Sequence, residues 1–120
     1  MNTELEIEFT EMVSTLVKPG EDILASLSAE DCMLLHMAVG VSGEAGELID
    51  AVKKSVIYRK PLDRENVIEE LSDIEFYMEG LRQALCITRE ETIHHNIDKL
   101  RIRYGKKYSN TAAIERKDKQ

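Results

Sequence analysis

Both prolines of this chain, Pro19 and Pro61, fall between stretches whose apolar residues recur every three or four positions, so each long segment is free to be helical. The first stretch runs from about Glu4 to Val17, with Leu5, Phe9, Met12, Val13 and Leu16 on one stripe and Pro19-Gly20 ending it. Ser28, followed by Asp31, reads as the N-cap of a long second helix that reaches about Tyr58. Lys60-Pro61 interrupts the pattern. Asp63 then caps a third helix through about Leu85, and Thr88-Arg89-Glu90-Glu91 is a capping box opening a fourth, which extends to about Tyr108. Short connections favour antiparallel neighbours, so the expected fold class is all-α and four-helix-bundle-like. Residues 1–108 form the expected domain, and residues 109–120, polar and charged, the expected loosely held tail.

Composition narrows the partners. The 120 residues suit one domain, and 6 Gly, 2 Pro and no Trp supply neither the turns nor the aromatic strands of a β-sandwich. With 23 acidic residues against 16 Lys and Arg, the net charge of −7 argues against a protein that coats a nucleic acid polymer or docks on a membrane through a basic surface. The longest stretch without a charge, Cys32 to Gly43, is too short to cross a bilayer, and Met1-Asn2-Thr3-Glu4 lacks a signal peptide's basic start. A soluble, cytoplasmic protein is expected. Cys32 and Cys86 stand alone and read as reduced, buried small hydrophobes.

Two acidic pairs carry the chemistry. Glu44 and Glu47 in the second helix, and Glu70 and Asp73 in the third, each stand three residues apart, hence on one helix face. At roughly 100° per residue, Glu44 and Glu70 each border the apolar stripe and their partners lie about 60° further out. Packed side by side, the two helices would bring four carboxylates together at the edge of the core, where like charges raise one another's pKa unless a cation sits among them. Hard oxygen ligands of this kind suit Mg²⁺ or Mn²⁺. Two solvated acidic faces fit the same spacing.

Gly40, Gly43 and Gly46 interrupt the second helix at about 1 kcal/mol each relative to alanine. Gly40 and Gly43 share a face with His36, Glu47 and Lys54, a small-residue groove suited either to close approach of a ligand or to tight helix packing. From Lys99 to Tyr108 the chain carries five bases and no acid, with Asn96, Lys99, Arg103 and Lys107 beside the stripe Ile93, Ile97, Leu100 and Tyr104. That strip fits phosphate oxygens, and equally the negative end of a helix dipole.

At these residues the sequence resembles the MazG-like, all-α nucleoside triphosphate pyrophosphohydrolases. Their Glu-x-x-Glu and Glu-x-x-Asp signature is met by Glu44, Glu47, Glu70 and Asp73. Around it stand Gly40-x-x-Gly43-Glu44-Ala45-Gly46-Glu47-Leu48, Lys53-Lys54, Pro61-Leu62-Asp63, Glu69-Glu70-Leu71-x-Asp73 with Phe76-Tyr77, and Asn96-Ile97-x-Lys99-Leu100-x-x-Arg103-Tyr104. The resemblance covers about residues 34 to 108. It implies a MazG fold assembled as a homodimer or a dimer-of-dimers tetramer, and Mg²⁺-dependent conversion of a nucleoside triphosphate to monophosphate and pyrophosphate in nucleotide-pool house-cleaning. Glu44, Glu47, Glu70 and Asp73 are the implied metal ligands, and Glu47 also the residue assisting the attacking water. Lys54, Lys99 and Arg103 are implied to neutralise phosphates and Asn96 to orient an oxygen. His36 and Tyr104, or Tyr77, are implied to contact sugar or base. Ser72 and His36 depart from the glycine and asparagine common in relatives. A phosphoribosyl-nucleotide or alarmone substrate is the alternative, as is a noncatalytic helical interaction module.

Overall fold

The computed structural model describes residues 2–120, which form six α-helices and a short 3-10 turn, with no strand among the described residues. The chain divides into two compact units, Met1–Cys32 and Met33–Gln120.

In the first unit, α1 (Thr3–Leu16) starts where the Asn2 side chain accepts the Leu5 N–H. The apolar stripe read from the sequence is exposed along its length. Pro19-Gly20 does end α1, but it also begins α2 (Gly20–Ser26), with Pro19 as N-cap. A seven-residue helix holds too few turns to show a period, so the sequence pattern misses it. Ser28 and Asp31 cap α3 (Ala29–Val56) reciprocally, Asp31 N–H donating to Ser28 Oγ at 3.1 Å and Ser28 N–H to Asp31 Oδ2 at 3.0 Å.

In the second unit, the Asp63 carboxylate caps α4 (Arg64–Ala84) by accepting the Asn66 N–H, and Thr88 and Glu91 cap α5 (Arg89–Tyr104) with bonds of 3.0 and 2.9 Å. These starts lie where the sequence puts them. The end of α5 does not: Gly105, at φ 67°, turns the chain out of the helix three residues before Tyr108 and removes Lys107 from the basic strip. Nor is the tail loose. α6 (Asn110–Glu115) and a 3-10 turn (Lys117–Lys119) pack against α5, and Asp118 bonds Arg103.

Within this unit α4 and the part of α3 from Met33 onward run antiparallel through an exchange of glycines. Met37 of α3 lies over Gly80 of α4, and the Tyr77 ring of α4 over Gly40 of α3; a Cβ on either glycine would overlap the side chain facing it. Met37 and Ala51 are the buried apolar residues, and Glu70 and Arg82 are buried with them. Arg82 Nε donates to Glu79 at 3.0 Å, and its Nη2 lies 3.8 Å from Glu75. Both cysteines are exposed, contrary to expectation: Cys32 lies in the first turn of α3, and Cys86, at φ 56°, in the bend after α4, off the packed faces. α3 is also long and apolar enough to meet the length-and-composition criterion for a membrane span, a test that core helices pass as well.

Candidate metal centre

The antiparallel register that sets Met37 on Gly80 and Tyr77 on Gly40 carries Glu44 to Asp73: four residues forward in α3 match four back in α4. One carboxylate oxygen from each of Glu44, Glu70 and Asp73 then lies within 4.8 Å of the other two. Glu70 is the deepest, 9% exposed, and its Oε2 is buried without a hydrogen-bond partner. Glu44 and Asp73 are half-buried. The Glu44 carboxyl, with which a protonated Glu70 shares a hydrogen bond, is the largest cause that pushes Glu70 from 4.5 up to about 7. Burial comes next, followed by the negative charges of Glu44, Glu47 and Asp73. Glu47 stands outside the convergent three, on the exposed side of α3, and acts on Glu70 through its charge.

Three carboxyl groups from two helices, Glu70 among them with an orphaned oxygen, make a donor set short of positive charge. No Lys, Arg or His bonds any of the three among the described residues. Carboxylate oxygens without sulfur or imidazole match a hard divalent cation such as Mg²⁺ or Mn²⁺. The residues present therefore fit that group.

Comparison with known protein families, curated proteins and solved structures finds no match. What the centre does chemically has to follow from its own residues.

The remaining sequence candidates are distributed around it unevenly. His36 is exposed and meets the Tyr77 ring edge-on at 6.2 Å between centroids, while Tyr77 also abuts Phe76 and fills the space over Gly40. Tyr77 is thus a packing residue. Gly40 serves helix packing, whereas a Cβ at Gly43 or Gly46 would meet nothing within 4 Å, so that part of the groove is open. Lys54 and Asn96 are exposed, Lys99 is half-buried, and Tyr104 packs at 5.4 Å from Tyr108. No hydrogen bond or ion pair joins α5 to the three carboxylates among the described residues. Arg103 is already engaged, by Asp118. The sequence reading passed over Asp118; its one visible sign is that it is the sole acid in the run Arg116-Lys117-Asp118-Lys119.

Proposed function

We propose that the chain is a Mg²⁺-dependent nucleoside triphosphate pyrophosphohydrolase of the MazG-like kind, releasing a nucleoside monophosphate and pyrophosphate and so clearing surplus or damaged nucleotides from the cytoplasmic pool. The observation that carries this reading is the convergence of Glu44, Glu70 and Asp73 on one point, with a buried Glu70 oxygen left unpartnered. These three residues, with Glu47 beside them, would hold the ion. Bound there, Mg²⁺ supplies the positive charge that polarises a phosphate and acidifies a water.

The chain's own groups do the rest. Glu47, exposed and adjacent, takes the proton of the water that attacks the α-phosphorus. Lys54, Lys99 and Arg103 neutralise the phosphate chain, and Asn96 orients one of its oxygens or the sugar. His36 and Tyr104 contact the sugar or base. The open side of α3 at Gly43 and Gly46 gives the ligand backbone-close access.

Self-association, as a dimer or a dimer of dimers, belongs to the same reading. Among the described residues only Met37 and Ala51 form the buried apolar core, while Phe9, Leu16, Ile49 and Phe76 are each more than half exposed. A second copy covering such faces removes apolar surface from water that one chain leaves wet.

Product analysis tests the reaction. Purified protein is incubated with Mg²⁺ and a panel of standard and modified dNTPs and NTPs, with an EDTA control. Metal-dependent monophosphate plus pyrophosphate is expected; diphosphate plus orthophosphate, or no product from any nucleotide, overturns the proposal.

A further inference from the structure

The guanidinium of Arg103 meets a carboxylate fifteen residues further along the chain. Its Nε donates to Asp118 Oδ1 at 2.8 Å and its Nη2 to Asp118 Oδ2 at 3.2 Å. The two side chains are 15% and 4% exposed, so the pair is largely withdrawn from water. Asp118 is ionised there, because the Arg103 hydrogen bonds hold its carboxyl below the usual carboxylate range. The contact exists because Gly105 ends α5, which lets α6 and the 3-10 turn pack back along that helix.

Both bonds use one edge of the guanidinium, the edge formed by Nε and Nη2. The opposite edge, Nη1 with the second Nη2 hydrogen, meets no carboxylate among the described residues; Tyr104 is the guanidinium's other polar neighbour. That edge also presents two parallel N–H groups, the arrangement that grips a phosphate or carboxylate with two bonds. An unrestrained arginine side chain samples many rotamers, whereas one gripped along an edge offers the other in a fixed direction. The same docking places Lys119 and Asp118 with His95, Asp98, Lys99 and Ile102 around a pocket of about 210 Å³, lined by both cations and carboxylates.

We propose that Asp118 is a positioning residue: by holding one edge of Arg103 it aims the other at an oxyanion, the phosphate chain of a nucleotide, and makes the 3-10 turn part of the phosphate-binding apparatus. This rests on the phosphate-binding reading of α5 given above. The opposite arrangement, in which the Asp118 carboxylate stands in for a phosphate and blocks Arg103, predicts the contrary sign.

The test measures binding of inorganic pyrophosphate by calorimetry in EDTA, to wild type, Asp118→Asn, Asp118→Glu, Arg103→Gln and the double variant Arg103→Gln/Asp118→Asn, each checked for its helical signal. Asp118→Asn is expected to weaken binding on the order of tenfold, as loss of an outer-shell partner commonly does. Asp118→Glu should restore most of it, and Asp118→Asn should add nothing to Arg103→Gln. With Mg²⁺ and a nucleotide, Asp118→Asn should raise KM and leave kcat near wild type. Tighter binding in Asp118→Asn, or binding unchanged with the fold intact, overturns the inference. If wild type hydrolyses nucleotides and Asp118→Asn matches it throughout, the positioning role alone fails. A wild type that neither binds pyrophosphate nor hydrolyses any nucleotide removes the functional reading, and this inference with it.

Discussion

Glu70 of α4 stands against Glu44 of α3, and this proximity, ahead of burial, raises its carboxyl to about 7. An unfolded chain releases that proton near 4.5, the folded metal-free protein near 7. Between those values the folded state holds more protons than the unfolded, so this group's stabilising contribution is complete below 4.5 and is lost as pH rises through 7. In EDTA, Glu70→Gln should therefore melt above wild type at about pH 8, with the difference shrinking towards about pH 5. A difference that does not change with pH contradicts the Glu44–Glu70 coupling.

The same proton must leave when a cation binds. Divalent-metal binding at about pH 6 should release close to one proton, and at about pH 8 almost none. Calorimetry of Mn²⁺ binding in buffers of different ionisation enthalpy counts these protons. Equal release at both pH values would place the ion elsewhere.

Glu44→Gln and Asp73→Asn should each lower turnover by at least about a hundredfold, the loss typical when a metal site's ligand sphere is disturbed. Helicity by circular dichroism should stay at the wild-type level, because neither residue caps a helix. Full turnover in both variants removes the centre from the chemistry.

The two sets of glycines separate by stability. Gly40→Ala drives a methyl into the Tyr77 ring and should cost about 1–3 kcal/mol of stability, as overpacking commonly does. Gly43→Ala meets open space in a helix and should add up to about 1 kcal/mol, while weakening nucleotide binding. Urea unfolding of both variants, with KM for the second, checks this. A Gly43→Ala protein that gains stability and keeps wild-type KM would show that no ligand enters there.

Exposed apolar side chains predict the assembly state. Wild type should sediment above the 13.7 kDa of one chain, and Ile49→Asp, which puts a charge on an exposed face of α3, should shift the population towards monomer. Sedimentation velocity at micromolar concentration reads both. A wild type that is monomeric throughout refutes self-association.

How much of this could be read from the residues depends on how far each determinant reaches along the chain. The starts at Ser28, Asp63 and Thr88 were legible because an N-cap and its partner lie three residues apart. The end of α5 was not, because bases and Tyr108 continue the helical pattern past Gly105, and only the backbone angle of that glycine shows the turn. Helical angles put Glu44 and Glu70 at equal offsets from their stripes, yet Glu70 is buried and Glu44 half-buried. Periodicity describes one helix at a time; it cannot show that Gly43 and Gly46 leave the side of α3 bare. Asp118 was hidden for a related reason, since its partner is reached through a turn, a short helix and a 3-10 turn.

The exchange of side chains between α3 and α4 has a bearing on the acids a turn or two away. Methionine over glycine on one side and tyrosine over glycine on the other leave neither helix able to slip along its neighbour without driving bulk into backbone. Repulsion among carboxylates would favour such slippage, and two uncharged interlocks resist it. The three carboxylates are thus held together by packing alone. A cation binding there would have only to displace a proton, with no helix to rearrange, so binding should be fast and should leave the backbone as it found it.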